Sequence, residues 1–197
     1  MAKKSKIVNN KHKIKLANQY YEKRTSLLKK INDVTLLEYE IKRLRKSKLI
    51  DKIVVATTSN TEDDSTENFC KEIGVDCFRG NDMNVLDRYF KCSQKYPEYN
   101  TILRITGDCP LVDPELVDEV VRRFKAANVD YCSNTNPPTY PDGLDIEIFT
   151  FKALEQASQE TSDPFDREHV TPYLRKSGKF QTAALQHSQD LSALRWT

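Results

Sequence analysis

The chain has 197 residues, 38% apolar and 30% charged, and its 31 Lys and Arg nearly balance 29 Asp and Glu. That length fits one domain with a real buried core, and the composition reads as soluble and globular. No apolar run approaches the roughly 18 residues of a membrane span, and the Lys-rich start has no apolar stretch behind it, so no secretory signal is expected. Residues 1–13 are basic and aperiodic and read as a flexible tail, with 14–197 as a single domain. Residues 1–52 carry 16 Lys and Arg against 5 Asp and Glu, so the small net charge of +2 hides a strongly basic first quarter. An arm for nucleic acid or polyphosphate is one reading. A solvated helical face is the other. Leu36, Leu37, Ile41 and Leu44 favour the second, because they organise much of that charge onto one amphipathic helix.

Asp33 is placed to cap that helix, which the spacing carries to about Lys46. Residues 52–58 (KIVVATT) read as a buried strand, followed by a helix that ends at Gly74, a residue suited to the position after a helix. Val75–Phe78 reads as a short strand and Val85–Lys95 as a helix. Thr101–Thr106 is β-branched and apolar, a strand that stops at Gly107 with a carboxylate, Asp108, at once behind it. Asp113 and Pro114 then open a helix as cap and first residue, with Val117, Val120, Val121 and Phe124 as its stripe. Val129–Ser133 is a strand, and Leu144–Phe149 alternates as a half-buried strand does. Phe151–Gln159 and Arg167–Arg175 have helical spacing, and Phe180–Leu185 closes as a strand. Alternating strands and helices predict an α/β fold with a mostly parallel central sheet.

Ligands of such sheets are met beyond the carboxyl ends of strands. Asp108 stands there, as a residue that could hold magnesium through carboxylate oxygen or merely close a turn. Asp142-Gly143 makes a turn, after which Asp145 and Glu147 point to one face of a strand. Two such carboxylates either meet a cation or hydroxyls, or lie on an exposed strand face. Arg167, Glu168 and His169 could grip a polar substrate or form local ion pairs. Arg79, Asp87 and Arg88 follow a strand, where the two guanidinium groups could face an anion. Cys109 has no histidine placed to activate it and reads as packing. The five cysteines include no C-x-x-C pair, which argues for reduced thiols in a cytosol and against a disulfide framework or a zinc site.

Taken together, KIVVATTSN, FRGNDMNVLDRYF, RITGDCPLVDP, YCSNTNPPTYPDGLDIEIF, REHVTPYLR and DLSALRWT resemble the SpsF-type cytidylyltransferases, relatives of the Kdo and acylneuraminate cytidylyltransferases, over residues 32–197. The resemblance implies a Rossmann-like, three-layer αβα fold of the nucleotide-diphospho-sugar transferase type. It implies CMP transfer from CTP to a sugar or sugar acid, with pyrophosphate released, in the cytoplasm and without a membrane or nucleic acid. By similarity Asp108 is the metal-binding and catalytic residue for magnesium. Thr57, Arg79, Asp87, Arg88 and Gly107 fall on the nucleotide side. Asp142, Asp145, Glu147, Arg167, Glu168 and His169 fall on the acceptor side. A homodimer is a further expectation.

Two departures from that family stand out. Its glycine-rich phosphate loop is replaced by Leu16–Ser26, and no glycine precedes Gly74. Glycine lets backbone N–H groups approach phosphates, so Tyr20, Tyr21 and Glu22 are expected to crowd a triphosphate while Lys23 and Arg24 keep its charge partners. The family also continues beyond the LRWT motif into a segment with a further carboxylate. The chain ending at Thr197 is therefore expected to lack that segment. A working enzyme with a remodelled loop and a family member that binds without catalysing are both consistent with these features.

Overall fold

The computed structural model describes residues 27–196. The basic tail 1–13 and the Leu16–Ser26 segment lie outside the described residues. Strands β1 (Lys30–Ile31) and β2 (Val34–Thr35) pair antiparallel across Asn32 and Asp33. Both corner residues have positive φ, 50° and 65°, a conformation that Asn and Asp tolerate better than most side chains. Asp33 is thus a hairpin corner and not the predicted helix cap. Thr35 takes that role: its hydroxyl accepts from Glu38 N at 3.1 Å, and α1 runs over Leu36–Leu44. Leu37, Ile41 and Leu44 are buried as their spacing predicts, and Glu40 is buried beside them.

Strands β3 (Val54–Thr58) and β4 (Asp76–Gly80) pair in parallel, connected through α2 (Asp64–Glu72). Gly74 ends that connection with φ 65°, a conformation that a Cβ would strain. Helix α1 and α2 cover one face of this pair through Leu37, Ile41, Cys70 and Val75. Helix α3 (Val85–Gln94) follows, capped by Asn84, whose side chain accepts from Asp87 N.

The larger sheet has the order β5 (Thr101–Arg104), β7 (Glu147–Thr150), β6 (Tyr131–Ser133), β8 (Thr182–Ala184). Strand β7 is antiparallel to both neighbours, whereas β6 and β8 are parallel. Helix α4 (Pro114–Ala127) starts as predicted: Asp113 accepts from Glu115 N and Pro114 takes the first turn. Its stripe packs on Cys132, Ile146 and Ile148. Tyr131 and Phe149 turn to the opposite face, onto Leu86 of α3 and Leu154 of α5 (Phe151–Glu160). Helices therefore cover both faces of the sheet, and each isoleucine-sized side chain removed from water contributes about 1.5–3 kcal/mol.

Two expectations change here. The 144–149 strand is not half-buried, because β7 lies between β5 and β6 with helices above and below. Ile146, Glu147, Ile148 and Phe149 are all at most 5% exposed. The 167–175 helix is two helices, α6 (Pro164–His169) and α7 (Pro172–Lys176). Val170 breaks them with φ 72°, and Pro172 has no N–H with which to continue the ladder but suits the start of a new helix.

Candidate active site

Two of the cavities among the described residues bear on the site. One, of about 270 Å³, lies among Leu44, Arg45, Asp51, Lys52, Gly74 and Asp76, by the amino ends of β3 and β4. The other, of about 230 Å³, is lined by Asn134, Thr135, Pro138, Tyr140, Asp142, Asp145 and Ser192. It sits where β6 ends and β7 begins, which is the edge where β5 also ends, since β7 opposes both. Parallel α/β sheets bind ligands beyond the carboxyl ends of their strands, so the second cavity is the candidate site.

β5 delivers Asp108 to this edge. Beyond the strand, Cys109 N bonds Thr106 O and Val112 N bonds Cys109 O, two successive tight turns. A Cβ on Gly107 would approach Leu27 at 3.2 Å, so a small residue suits this crossing. Arg43 of α1 donates to Val112 O at 2.6 Å and pins the turn to that helix. Cys109 is 2% exposed, and burial pushes its thiol up to about 12. It stays a thiol at neutral pH, which agrees with packing and not with a nucleophile.

Asp145 is held from both sides by one amide. Asn134 Nδ2 donates to Leu144 O at 2.7 Å, and Ile146 N donates to Asn134 Oδ1 at 2.8 Å. Burial raises the Asp145 carboxyl above the usual carboxylate range, and Asp142, Glu147 and Asp108 add to the rise against the opposing pull of Arg104. Asp142 pairs with Arg195 at 3.3 Å, and its backbone bonds Leu194 O and Trp196 N. The DLSALRWT segment therefore forms one wall of the loop. His187 stands edge-on to Tyr140 at 5.3 Å.

Glu147 shares the face of Asp145 but lies beneath it. Its Oε2 accepts from Arg104 at 2.5 Å, and its Oε1 accepts from Tyr131 Oη and Thr171 Oγ1, both at 2.6 Å. Those partners commit the carboxylate to the core, so it is not the exposed strand face that was one sequence reading. Arg104, the one charge inside the Thr101–Thr106 run, was the available signal for this pair.

The remaining sequence candidates lie elsewhere. Thr57 is on β3, in register with Arg79 on β4. Arg79 donates to Thr58 O, Asn60 O and Glu67, and pairs with Asp64 at 2.8 Å. Arg88 donates to Asn81 O and Asp82 O, and Asp87 pairs with Lys91. Arg167 donates to Ser158 O and Thr161 O, so it satisfies the carbonyl end of α5. His169 packs on Phe165 at 4.3 Å between ring centres, with Glu168 beside it on α6. His12 lies outside the described residues.

One acid that the sequence reading did not single out is buried on α1, the helix that holds the turn after β5. Glu40 is 4% exposed, its Oε2 has no hydrogen-bond partner among the described residues, and burial together with the Asp108 charge holds its carboxyl well above the usual range. An acid on a stripe of Leu37, Ile41 and Leu44 was the signal for it.

The cytidylyltransferase family profile matches residues 27–190. The chain belongs to the cytidylyltransferase family. A protein of unassigned role from Methanocaldococcus jannaschii is 42% identical over 151 residues, 77% of this chain and 60% of its own length. The spore coat polysaccharide biosynthesis protein SpsF of Bacillus subtilis is 33% identical over 159 residues, 76% of this chain and 62% of its own. The chain thus spans about three fifths of these relatives. A cytidylyltransferase structure from Leptospira borgpetersenii superposes with a TM-score of 0.81 at 34% identity, covering 86% of this chain and 72% of that one. The fold is that of the nucleotide-sugar transferases, as the motifs imply. No helix among the described residues is long and apolar enough to cross a membrane.

Proposed function

We propose that this chain transfers CMP from CTP to a hydroxyl of a sugar or sugar acid, releasing pyrophosphate and supplying activated sugar for polysaccharide assembly. The observation that supports this reading is the cavity where β6 ends and β7 begins, lined by Asp142 and Asp145, at the edge from which β5 runs on to Asp108. In the reaction the acceptor oxygen gives up its proton and bonds the α-phosphorus. The bond from that phosphorus to its bridging oxygen breaks, and pyrophosphate leaves with the electron pair. Asp145 is the residue placed to orient the acceptor hydroxyl and take its proton, and its raised carboxyl makes it a better base than a free aspartate. Asn134 fixes the backbone on either side of that residue.

The donor chemistry at Asp108 fits magnesium, a hard cation commonly held by one or two carboxylates plus substrate phosphates. No group of three metal-ligating side chains is assembled among the described residues, and a phosphate-completed site does not need one. Bound there, the ion would offset the charge of the triphosphate during transfer.

Pyrophosphate release from CTP and magnesium, with a panel of sugars and sugar acids, tests the reading. Asp108→Asn is expected to lower that rate by roughly 10²–10³-fold. One observation favours a second reading, a family member that binds without transferring. Arg79 spends its guanidinium on protein carbonyls and carboxylates, where a triphosphate would need it. No release with any acceptor, together with no CTP-dependent rise in melting temperature, would leave that second reading.

A further inference from the structure

We infer that Glu40 supplies a second carboxylate to the cation site that Asp108 begins, so that α1 and the turn after β5 hold one divalent ion between them when nucleotide phosphates are present. The inference rests on the proposed reaction, and it concerns a residue that packing alone does not explain. Four acids are buried among the described residues: Glu40, Asp63, Asp118 and Glu147. Asp63 accepts from the Thr58 backbone and hydroxyl. Asp118 accepts from Ser47 Oγ and from the backbone of Lys48 and Leu49. Glu147 accepts from Arg104, Tyr131 and Thr171. Glu40 departs from this pattern, since its Oε2 is buried with no hydrogen-bond partner.

A buried oxygen without a partner is destabilising. On a stripe shared with Leu37, Ile41 and Leu44, an apolar side chain would avoid that cost. The turn that carries Asp108 is the element α1 holds by its Arg43 hydrogen bond to Val112 O. Arg43 lies three residues after Glu40 and so on a neighbouring part of the same helical surface. Burial first, and then the Asp108 charge, raise the Glu40 carboxyl. Neighbouring carboxylates repel each other, and a divalent cation between them reverses the sign of that interaction. Two carboxylates also suffice for magnesium once phosphate oxygens and water complete its shell.

Equilibrium dialysis of the full chain against Mn²⁺, with saturating CTP on both sides, measures the site without asking for turnover. The wild-type chain is expected to retain one ion above the CTP background, and Asp108→Asn to lose it. Glu40→Gln is expected to weaken retention by roughly tenfold or more. Glu40→Leu, which suits its apolar neighbours, is expected to do the same with an unchanged or higher melting temperature. If either Glu40 variant retains Mn²⁺ as the wild type does while Asp108→Asn does not, Glu40 is outside the site and only this inference falls. If the wild-type chain with CTP retains no ion, the transfer reading falls with it.

Discussion

Glu147 and Glu40 are equally hidden, at 5% and 4% exposure, yet they sit in opposite kinds of surroundings. Around Glu147 the fold has gathered a guanidinium and two hydroxyls from three separate segments, so each carboxylate oxygen is engaged. Around Glu40 it has gathered leucine and isoleucine, and the charge that reaches it is another anion. Burial by itself therefore does not distinguish a structural acid from a site acid. Partners do: a saturated acid holds the sheet together, and an unsaturated one marks a place where the fold tolerates a cost for something the chain alone does not supply.

The largest effect that can break this contrast is at Glu147. Glu147→Gln leaves Arg104 buried without its hydrogen-bonded carboxylate, and removing one partner of a buried pair costs about 3–5 kcal/mol. Chemical unfolding should register that loss as a lower midpoint without a change in slope. A loss below about 1 kcal/mol would mean that the β5–β7 pair is held by its ladder and apolar contacts, with the ion pair incidental.

Glu40 should answer with the opposite sign. Glu40→Leu removes an unpartnered buried oxygen and adds apolar contact, so the metal-free protein is expected to gain about 1–3 kcal/mol. For a chain of this size each kcal/mol corresponds to roughly 2–4 °C in melting temperature. Destabilisation by Glu40→Leu would show that the carboxyl is satisfied in solution, and the contrast with Glu147 would disappear.

Asn134 gives a smaller test, which joins stability to the site. It closes the backbone on both sides of Asp145 through two hydrogen bonds. Asn134→Ala is expected to cost about 1–2 kcal/mol and to free the start of β7. If Asp145 works on the acceptor, this variant should raise KM for the acceptor more than KM for CTP. An equal rise in both would place the amide in general scaffolding.

What was legible in the sequence follows the same division. Regular spacing named the buried face of α1 and the stripe of α4, and Asp113-Pro114 named the start of α4, because these depend on neighbours within a turn or two. The motif order gave the family, whose profile covers residues 27–190. Partnering was not legible. The alternation in Leu144–Phe149 is real, but the groups that bury Glu147 come from Arg104, Tyr131 and Thr171, remote along the chain. Arg167, Glu168 and His169 read as one polar cluster, yet the Arg167 guanidinium goes to the end of α5, a tertiary event that spacing does not encode. Glu40 was visible as an acid on an apolar stripe and was passed over, since the stripe outweighed its one exception.

The smallest expected effect concerns how Glu40 comes to face inward at all. Glu40 shares its face with Leu37, Ile41 and Leu44, and Thr35 marks the start of that helix by accepting from Glu38 N. Thr35→Ala should cost about 1 kcal/mol, as the loss of a helix cap usually does. Asp33→Ala should cost less through capping, because Asp33 stands at the hairpin corner with φ 65° and not at the helix end. If Asp33→Ala proved the more damaging for the helix, the start would shift back by two residues. That would put the cap at Asp33 and leave the hydrogen bond from Glu38 N to Thr35 without a part in starting the helix.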